Sequence, residues 1–153
     1  IDLFTNLKKI FMKKALIFIL SLMLTGSLFS QTIGDTIVSN NAKNLKLTVL
    51  YFHITNRCNT CTTIETLVRK TIFENFKTEV DSGIINVSII NCELPENKVI
   101  SEKYDAYGAT LAITFINGAK EKTEDLSNWA FQKVHKEDIF ISELKNKITE
   151  LLK

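Results

Sequence analysis

The sequence predicts an α/β fold in which a mixed β-sheet carries helices on both faces. Short apolar segments with the composition of buried strands alternate with segments whose apolar residues recur at helical spacing. A strong short hairpin signal, Asn117-Gly118, then follows the third strand and precedes a terminal helix. The predicted order is therefore βαβαββα, which places helices on both sides of one sheet.

Four segments have the character of strands. Residues 47–54 and 84–90 are nearly continuous apolar runs, rich in β-formers, which is typical of strands covered on both faces. Residues 112–116 form a third strand, and residues 119–126 return from the hairpin as a fourth strand at the edge. The Lys/Glu run at 120–124 predicts a solvated edge that is protected against pairing with another chain.

The first helix is predicted over residues 61–79. Thr62 and Glu65 have the spacing of a capping box, which predicts that the helix begins near them. Asp81-Ser82-Gly83 then ends it. The apolar residues that fall on one stripe of this segment are Ile64, Leu67, Val68, Ile72, Phe73 and Phe76.

Two further helices complete the predicted order. Residues 96–107, after Pro95, form a short helix, and residues 137–152 form the last helix of the chain. We expect the nearby aromatic residues Trp129 and Phe131 to pack against this last helix.

The first thirty residues have the order of a secretory signal peptide. Met12-Lys13-Lys14 gives a positive start, residues 15–29 are almost wholly apolar, and Ser30 and Gln31 are suited to cleavage. The apolar segment of about 15 residues is shorter than the roughly 20 that a membrane-spanning helix needs. We therefore expect export to the periplasm or secretion, with residues 1–11 as an upstream extension. The alternative is an uncleaved membrane anchor.

The remaining chain is predicted to be one domain, residues 45–153, after a loose polar lead-in at 31–44. A chain of 153 residues, 45% of them hydrophobic, has room for one ordinary core and too little for two. Without residues 1–30 it carries 15 basic and 16 acidic residues. This near-neutral balance argues against nucleic-acid binding. We expect a monomer that is free of the membrane after cleavage.

The chemistry is predicted at Cys58-Asn59-Thr60-Cys61, between the first strand and the first helix. A cysteine at the start of a helix faces unpaired N–H groups and the positive end of the helix dipole, which favour thiolate over thiol. Arg57 adds positive charge directly before it. The two-residue gap lets the second sulfur attack a mixed disulfide. Cys58 is therefore expected to be the exposed nucleophile and Cys61 the deeper, resolving thiol.

Two other interpretations of this motif stay open. A static bridge that closes so small a loop would contribute little chain-entropy stabilisation. A zinc site would need two more ligands, and the sequence offers only Cys92, His53 and His135. We therefore expect no metal.

Cys92 and His53 each have two interpretations. The C-terminal ends of parallel strands meet at one edge, so Cys92 could be a third thiol that relays a disulfide or helps hold a thiophilic ion such as arsenite. Otherwise it is a buried small apolar residue. His53 either tunes the thiolate or is a satisfied core histidine.

Residues 45–153 resemble the thioredoxin fold family throughout. YFHITNRCNTC stands where that family has its strand and active-site turn, and TLAITFING stands where it has its cis-proline strand and hairpin. Between them, IINVSIINCELPENKVISEKYDAYG resembles the family's strand that runs into a helix. The resemblance implies a three-layer α/β/α fold with a mixed sheet of about four strands.

A narrower resemblance rests on the YFH…RC.TC…E pattern, the export signal and the NG, KEK, L and W residues of the tail. These resemble a small exported thioredoxin-like family described as nitrophenyl-compound nitroreductase subunits of arsenic-resistance clusters. Because the sequence has no nucleotide-binding or flavin-type motif, such a chain would be an electron-carrying accessory of a reductase.

Three departures from the thioredoxin pattern fall at the site. Asn59 and Thr60 replace Gly-Pro between the cysteines, and Thr110 stands where the cis-proline falls, so it is expected to border the sulfurs and substrate. Phe52 replaces the family's buried acid, so the resemblance does not imply that such an acid removes the proton from Cys61.

The sequence thus predicts an exported thiol–disulfide oxidoreductase whose redox group is the Cys58–Cys61 disulfide, with no other cofactor. Its expected partners are protein or small-molecule disulfides and dithiols. The direction of electron flow depends on the reduction potential, which stays open. Thiol-based binding of a metal or metalloid, and an interaction module with an idle CxxC, are the alternatives.

Overall fold

A computed structural model describes residues 44–117 and 120–153, which form a thioredoxin-like, three-layer α/β/α arrangement. Its strands are β1 (Leu47–His53), β2 (Ile85–Asn91), β3 (Thr110–Asn117) and β4 (Lys120–Asp125). Its helices are α1 (Asn59–Asn75), α2 (Lys77–Asp81), α3 (Lys98–Lys103), α4 (Ser127–Lys133) and α5 (Glu137–Leu151), with a 3₁₀ turn at Pro95–Asn97 before α3. The predicted α/β fold is confirmed. The predicted signal peptide and most of the lead-in lie outside the described residues.

The four strands form one mixed sheet in the order β2-β1-β3-β4. β1 runs parallel to β2 and antiparallel to β3, and Phe52 pairs with both Ile90 and Thr110. The C-terminal ends of β1 and β2 therefore lie beside the N-terminal end of β3. We call this end of the sheet the cysteine edge, because the chain leaves β1 there toward Cys58.

The hairpin between β3 and β4 is confirmed by its register. The two strands are antiparallel, and Asn117 pairs with Lys120 at the end of the ladder. The turn residues 118–119 lie outside the described residues. β4 is exposed along most of its length, as the charged run at 120–124 predicts.

Alternation along β1 divides the buried side chains between the two faces of the sheet. The smaller cluster, under α3, contains Leu50, Phe52, Ile90 and Ala106, with Cys92, Ile100 and Tyr104 packed against it. The larger cluster, under α1, α4 and α5, includes Val49, Tyr51, Ile64, Val68, Ile72, Leu111, Ile113, Phe140, Leu144 and Ile148. Both faces are thus covered, as the apolar runs predict.

The first helix differs from its prediction at both ends. It begins at Asn59, and Cys58 is its N-cap, so the capping box at Thr62 and Glu65 is wrong. It also stops at Asn75, because Phe76 leaves the helical conformation at φ −133° before the short α2 begins. The predicted stop after α2 is correct, since Gly83 there takes a φ of 75°, which favours glycine.

The helix after Pro95 is shorter than predicted. It splits into the 3₁₀ turn and α3, which ends at Lys103 with Tyr104 as its C-cap. Asp105 then takes a left-handed φ of 50°, a conformation that a right-handed helix cannot continue through.

The short helix α4 is absent from the predicted order. Ser127 begins it, and the Ser127 N–H donates to the Asp125 carboxylate over 2.7 Å. Trp129 packs on Phe140 of α5, with ring centroids 4.7 Å apart, as predicted. Phe131 was expected to pack there as well, but its side chain is 42% exposed. Among the described residues, no helix has the length and apolar character needed to cross a membrane.

Candidate functional site

Cys58 and Cys61 form a disulfide at the junction of β1 and α1, with their Cα atoms 5.1 Å apart. Cys58 is exposed, whereas Cys61 is half-buried in the first turn of the helix. The disulfide therefore joins an exposed residue to one that lies deeper in the helix.

The backbone around Cys58 explains why the helix begins there. Cys58 is extended, with φ −79° and ψ 158°, and its carbonyl accepts the N–H of Thr62 at 3.0 Å. The Cys61 N–H donates to the Cys58 sulfur at 3.1 Å. The sulfur thus accepts from one of the N–H groups left unpaired at a helix start, the role usually taken by Ser, Thr, Asp or Asn. In the reduced protein the same N–H would stabilise negative charge on this sulfur.

Tyr51 joins the first turn of α1 to strand β1 of the sheet by a hydrogen bond. Its hydroxyl donates to the Cys61 carbonyl at 2.8 Å, and the residue is only 1% exposed. Burial raises the pKa of Tyr51 to about 12, with a further contribution from the negative charge of Glu65, while Arg57 acts in the opposite direction. The phenol therefore stays protonated and keeps donating over the physiological range.

A charged network of three residues lies along the same part of α1. Arg57 is paired through Nη1 with Oε2 of Glu65, and Arg69 Nε donates to the other oxygen, Oε1, at 2.8 Å. The Glu65 side chain is only 12% exposed, against 22% for Arg57. We call these three residues the Arg57–Glu65–Arg69 network.

Sequence reasoning missed this network because Glu65 also fits a capping box. The spacing of Glu65 and Arg69 is that of a stabilising i,i+4 pair, which is the signal that could have revealed half of it. The pairing with Arg57 depends on the turn before the helix and has no comparable signal.

The loop before Cys58 is held by the loop that follows β2. The Thr55 N–H donates to Glu93 Oε2 at 2.9 Å, and Asn91 Nδ2 donates to the Thr55 hydroxyl at 3.1 Å. Asn97 Nδ2 in turn donates to the Asn91 carbonyl at 2.9 Å. The hydrogen bonding from Thr55 lowers the pKa of the Glu93 carboxyl. The two loops at the cysteine edge therefore support each other.

Cys92 and His53 contact each other through the backbone at this edge. The Cys92 N–H and Sγ both donate to the His53 carbonyl, at 2.8 and 3.2 Å. His53 is buried, and its Nδ1 lies 2.9 Å from the Ile54 carbonyl, so that nitrogen carries the proton. This is the satisfied histidine that one interpretation expects.

The side chain of Cys92 packs in the cluster on the face opposite to α1, and burial raises the pKa of its thiol. Within residues 44–117 and 120–153, no three His, Cys, Asp or Glu side chains are grouped so that they could hold a metal ion.

The other predicted site residues lie as follows. Asn59 and Thr60 occupy the first two positions of α1, and Thr110 begins β3 opposite Phe52, at the cysteine edge. The peptide bonds of the described residues are all trans, including those around Thr110. That Thr110 borders the substrate stays a prediction.

Phe52 and His135 were also named in the sequence analysis. Phe52 is fully buried on the α3 side, with its ring centroid 5.5 Å from that of Tyr104. His135 is exposed in the turn between α4 and α5.

Comparison with known proteins identifies no family. No family model matches the chain, and no curated protein matches it. A solved chain described as "Structure of a malarial protein" is similar over 60% of this chain and 98% of its own length, at 18% identity and a TM-score of 0.36. Similarity at this level supports no inference about fold or function.

Proposed function

We propose that this protein is a thiol–disulfide oxidoreductase that exchanges electrons through Cys58 and Cys61. One observation carries the proposal: the disulfide sits at the N-terminus of α1, with the outer sulfur exposed and accepting the Cys61 N–H. A helix start that already donates to this sulfur favours the thiolate, which is the reactive form in disulfide exchange.

In the reducing direction the exchange has two steps. The Cys58 thiolate attacks one sulfur of a substrate disulfide, that S–S bond breaks, and the other substrate sulfur leaves as a thiolate. Cys61, as a thiolate, then attacks the Cys58 sulfur of the mixed disulfide and releases the second substrate thiolate. Two electrons pass to the substrate, which takes up two protons from solvent, and Cys58–Cys61 is oxidised. The reverse sequence oxidises a dithiol.

The wider setting of this activity is also part of the proposal. The order of residues 12–31 supports export to the periplasm or secretion. The YFH…RC.TC…E pattern supports membership of the thioredoxin-like family related to nitroreductase subunits, with this chain as an electron-carrying accessory. We propose a monomer that uses no cofactor beyond its disulfide and acts on a disulfide or dithiol partner.

Turnover of a model peptide disulfide in the presence of a dithiol reductant tests the activity. Cys58→Ser is expected to abolish turnover, because it removes the nucleophile. Cys61→Ser is expected to retain the first step. When this variant is reduced, freed of the dithiol and then mixed with the peptide disulfide, it is expected to accumulate a mixed disulfide, visible as added mass. Turnover by Cys58→Ser at the unaltered rate, or mixed disulfide on Cys92 instead of Cys58, would refute the proposal.

A further inference from the structure

We propose that Glu65 pairs with Arg57 beside the first turn of α1 and that its negative charge, by offsetting that of the guanidinium, limits how strongly the Cys58 thiolate is stabilised. This inference rests on the proposed function, because it concerns the redox poise of the same cysteine pair. Its basis is the Arg57–Glu65–Arg69 network, in which one carboxylate binds two guanidinium groups next to the disulfide.

The network is tied to the cysteines by chain geometry. Arg57 is the residue before Cys58, and Glu65 follows Cys61 by four residues, so it lies one turn farther along the same face of α1. The carboxylate is 12% exposed and pairs with Arg57 at 22%. Charges this far removed from solvent are screened less than exposed pairs.

The same contacts argue against Glu65 as a proton acceptor for Cys61. Oε2 pairs with Arg57 and Oε1 accepts from Arg69, so both oxygens are engaged by cations. Glu65 therefore does not replace the acid that Phe52 displaces, and its effect on the sulfurs is electrostatic.

The signs of the expected effects follow from the charges. The three side chains sum to one positive charge, and Glu65 offsets one guanidinium. If the negative charge of Glu65 is removed, the positive charges of both guanidinium groups act on the cysteine edge without compensation. The thiolate form of Cys58 then becomes more favourable. Without Arg57, the nearest positive charge is lost and the thiolate becomes less favourable. Arg69 acts in the same direction as Arg57 but more weakly, because eleven residues of helix place it roughly 16 Å along the axis from Cys58.

Other titratable groups at this edge come from neighbouring elements. β1 contributes His53 and Tyr51, and the loop after β2 contributes Glu93, which is bound to Thr55. These groups are unchanged in every network variant, so the comparison between variants isolates the network.

The test is the pKa of the Cys58 thiol, followed by thiolate ultraviolet absorbance in the full chain with Cys61→Ser and Cys92→Ser, so that one cysteine titrates. Glu65→Gln is expected to raise the thiolate-to-thiol ratio at fixed pH by about threefold or more, and Arg57→Gln to lower it by a similar factor. Arg69→Gln is expected to lower it less. Arg57→Lys keeps the charge and is expected to restore most of the ratio.

Glu74→Gln is the matched control, because it removes the same charge from an exposed position near the far end of α1. It is expected to leave the ratio unchanged. Circular dichroism checks that each variant is folded. Shifts of Glu65→Gln and Arg57→Gln in the same direction, or no shift in either, would overturn the inference.

This measurement is separate from turnover. If peptide-disulfide reduction fails while the opposite pKa shifts are found, the proposed function is wrong and the electrostatic role of Glu65 stands. If turnover is found without the opposite pKa shifts, the proposed function stands and the electrostatic role of Glu65 is wrong.

Discussion

At the scale of single residues, Cys58 combines two roles that its position links. Its sulfur is the acceptor that caps α1 and also half of the disulfide. Cys58 is also an exposed residue, so the residue whose sulfur satisfies the Cys61 N–H lies at the surface of the protein. A capping sulfur is thus in place for thiolate chemistry whenever the bridge is reduced.

The capping role predicts a stability difference between two substitutions at Cys58. Serine is a good N-cap and alanine is a poor one, so Cys58→Ala is expected to be less stable than Cys58→Ser by about 1 kcal/mol. Urea unfolding of both variants under reducing conditions measures this difference, since neither can form the bridge. Equal stabilities would show that a side chain at position 58 contributes nothing as a cap.

The placement of Cys92 predicts that it is dispensable for exchange. Its thiol donates to the His53 carbonyl, and its side chain packs on the face of the sheet opposite to α1. Cys92→Ser is therefore expected to keep peptide-disulfide turnover within about twofold of the unaltered protein. The same variant tests three-thiol binding of arsenite: calorimetric binding that is present in the reduced protein and collapses in Cys92→Ser would favour the metalloid alternative.

The sequence predicted those site residues whose positions depend only on their neighbours along the chain. The position of Cys58 and Cys61 between a strand and a helix follows from the apolar pattern of the flanking segments, and the contrast between an exposed and a half-buried cysteine follows from that position. Glu65 could not be assigned in the same way, because its spacing from Thr62 satisfies a local rule that the fold does not use. Its actual partner, Arg57, approaches only once the turn at Cys58 has formed.

At the scale of elements, the Tyr51 hydrogen bond joins β1 to the first turn of α1. Its pKa of about 12 lies above the ordinary value of 10.0. Between these values the unfolded chain loses the phenol proton while the folded chain keeps it, so unfolding becomes more favourable as the pH rises. The contribution of the raised Tyr51 pKa to the free energy of unfolding is therefore fully present below pH 10, and it is lost as the pH rises toward 12.

Tyr51→Phe tests this connection. At neutral pH we expect a loss of about 1 kcal/mol, because one buried hydrogen bond is removed. From about pH 9.5 upward the stability of the unaltered protein should fall more steeply than that of Tyr51→Phe. Denaturant unfolding of both proteins at several pH values measures the difference. Parallel pH profiles would contradict the raised pKa.

Element boundaries were less predictable than element types. The period of the apolar residues continues through Phe76, so the sequence reads as one helix, although the backbone turns there. The short helix α4 has its apolar residues in one run, Trp129 to Phe131, which gives no helical spacing, and it starts from a hydrogen bond to Asp125 at the end of β4. Both features depend on how neighbouring elements meet, which local periodicity does not contain.

At the scale of the whole molecule, the larger cluster under α1, α4 and α5 holds most of the buried apolar side chains of the described residues. Phe140 is fully buried there, whereas Phe131 on the neighbouring helix is 42% exposed. Phe140→Ala is expected to cost about 3–5 kcal/mol. Phe131→Ala, the matched control, is expected to change stability by about 0.5 kcal/mol or less. Thermal and denaturant unfolding of the two variants decide this, and similar losses would contradict the packing described for α4 and α5.

The central claim is that Cys58 and Cys61 act as one two-electron redox couple. The most direct test is a redox titration of the purified protein in dithiol buffers, read by thiol alkylation and intact mass, with Cys92→Ser as the control that removes the remaining thiol. The account predicts that the two cysteines switch together at a potential between about −270 and −120 mV, the range of thioredoxin-like catalysts. A bridge that stays closed well below this range, or that does not form without a metal, would contradict it.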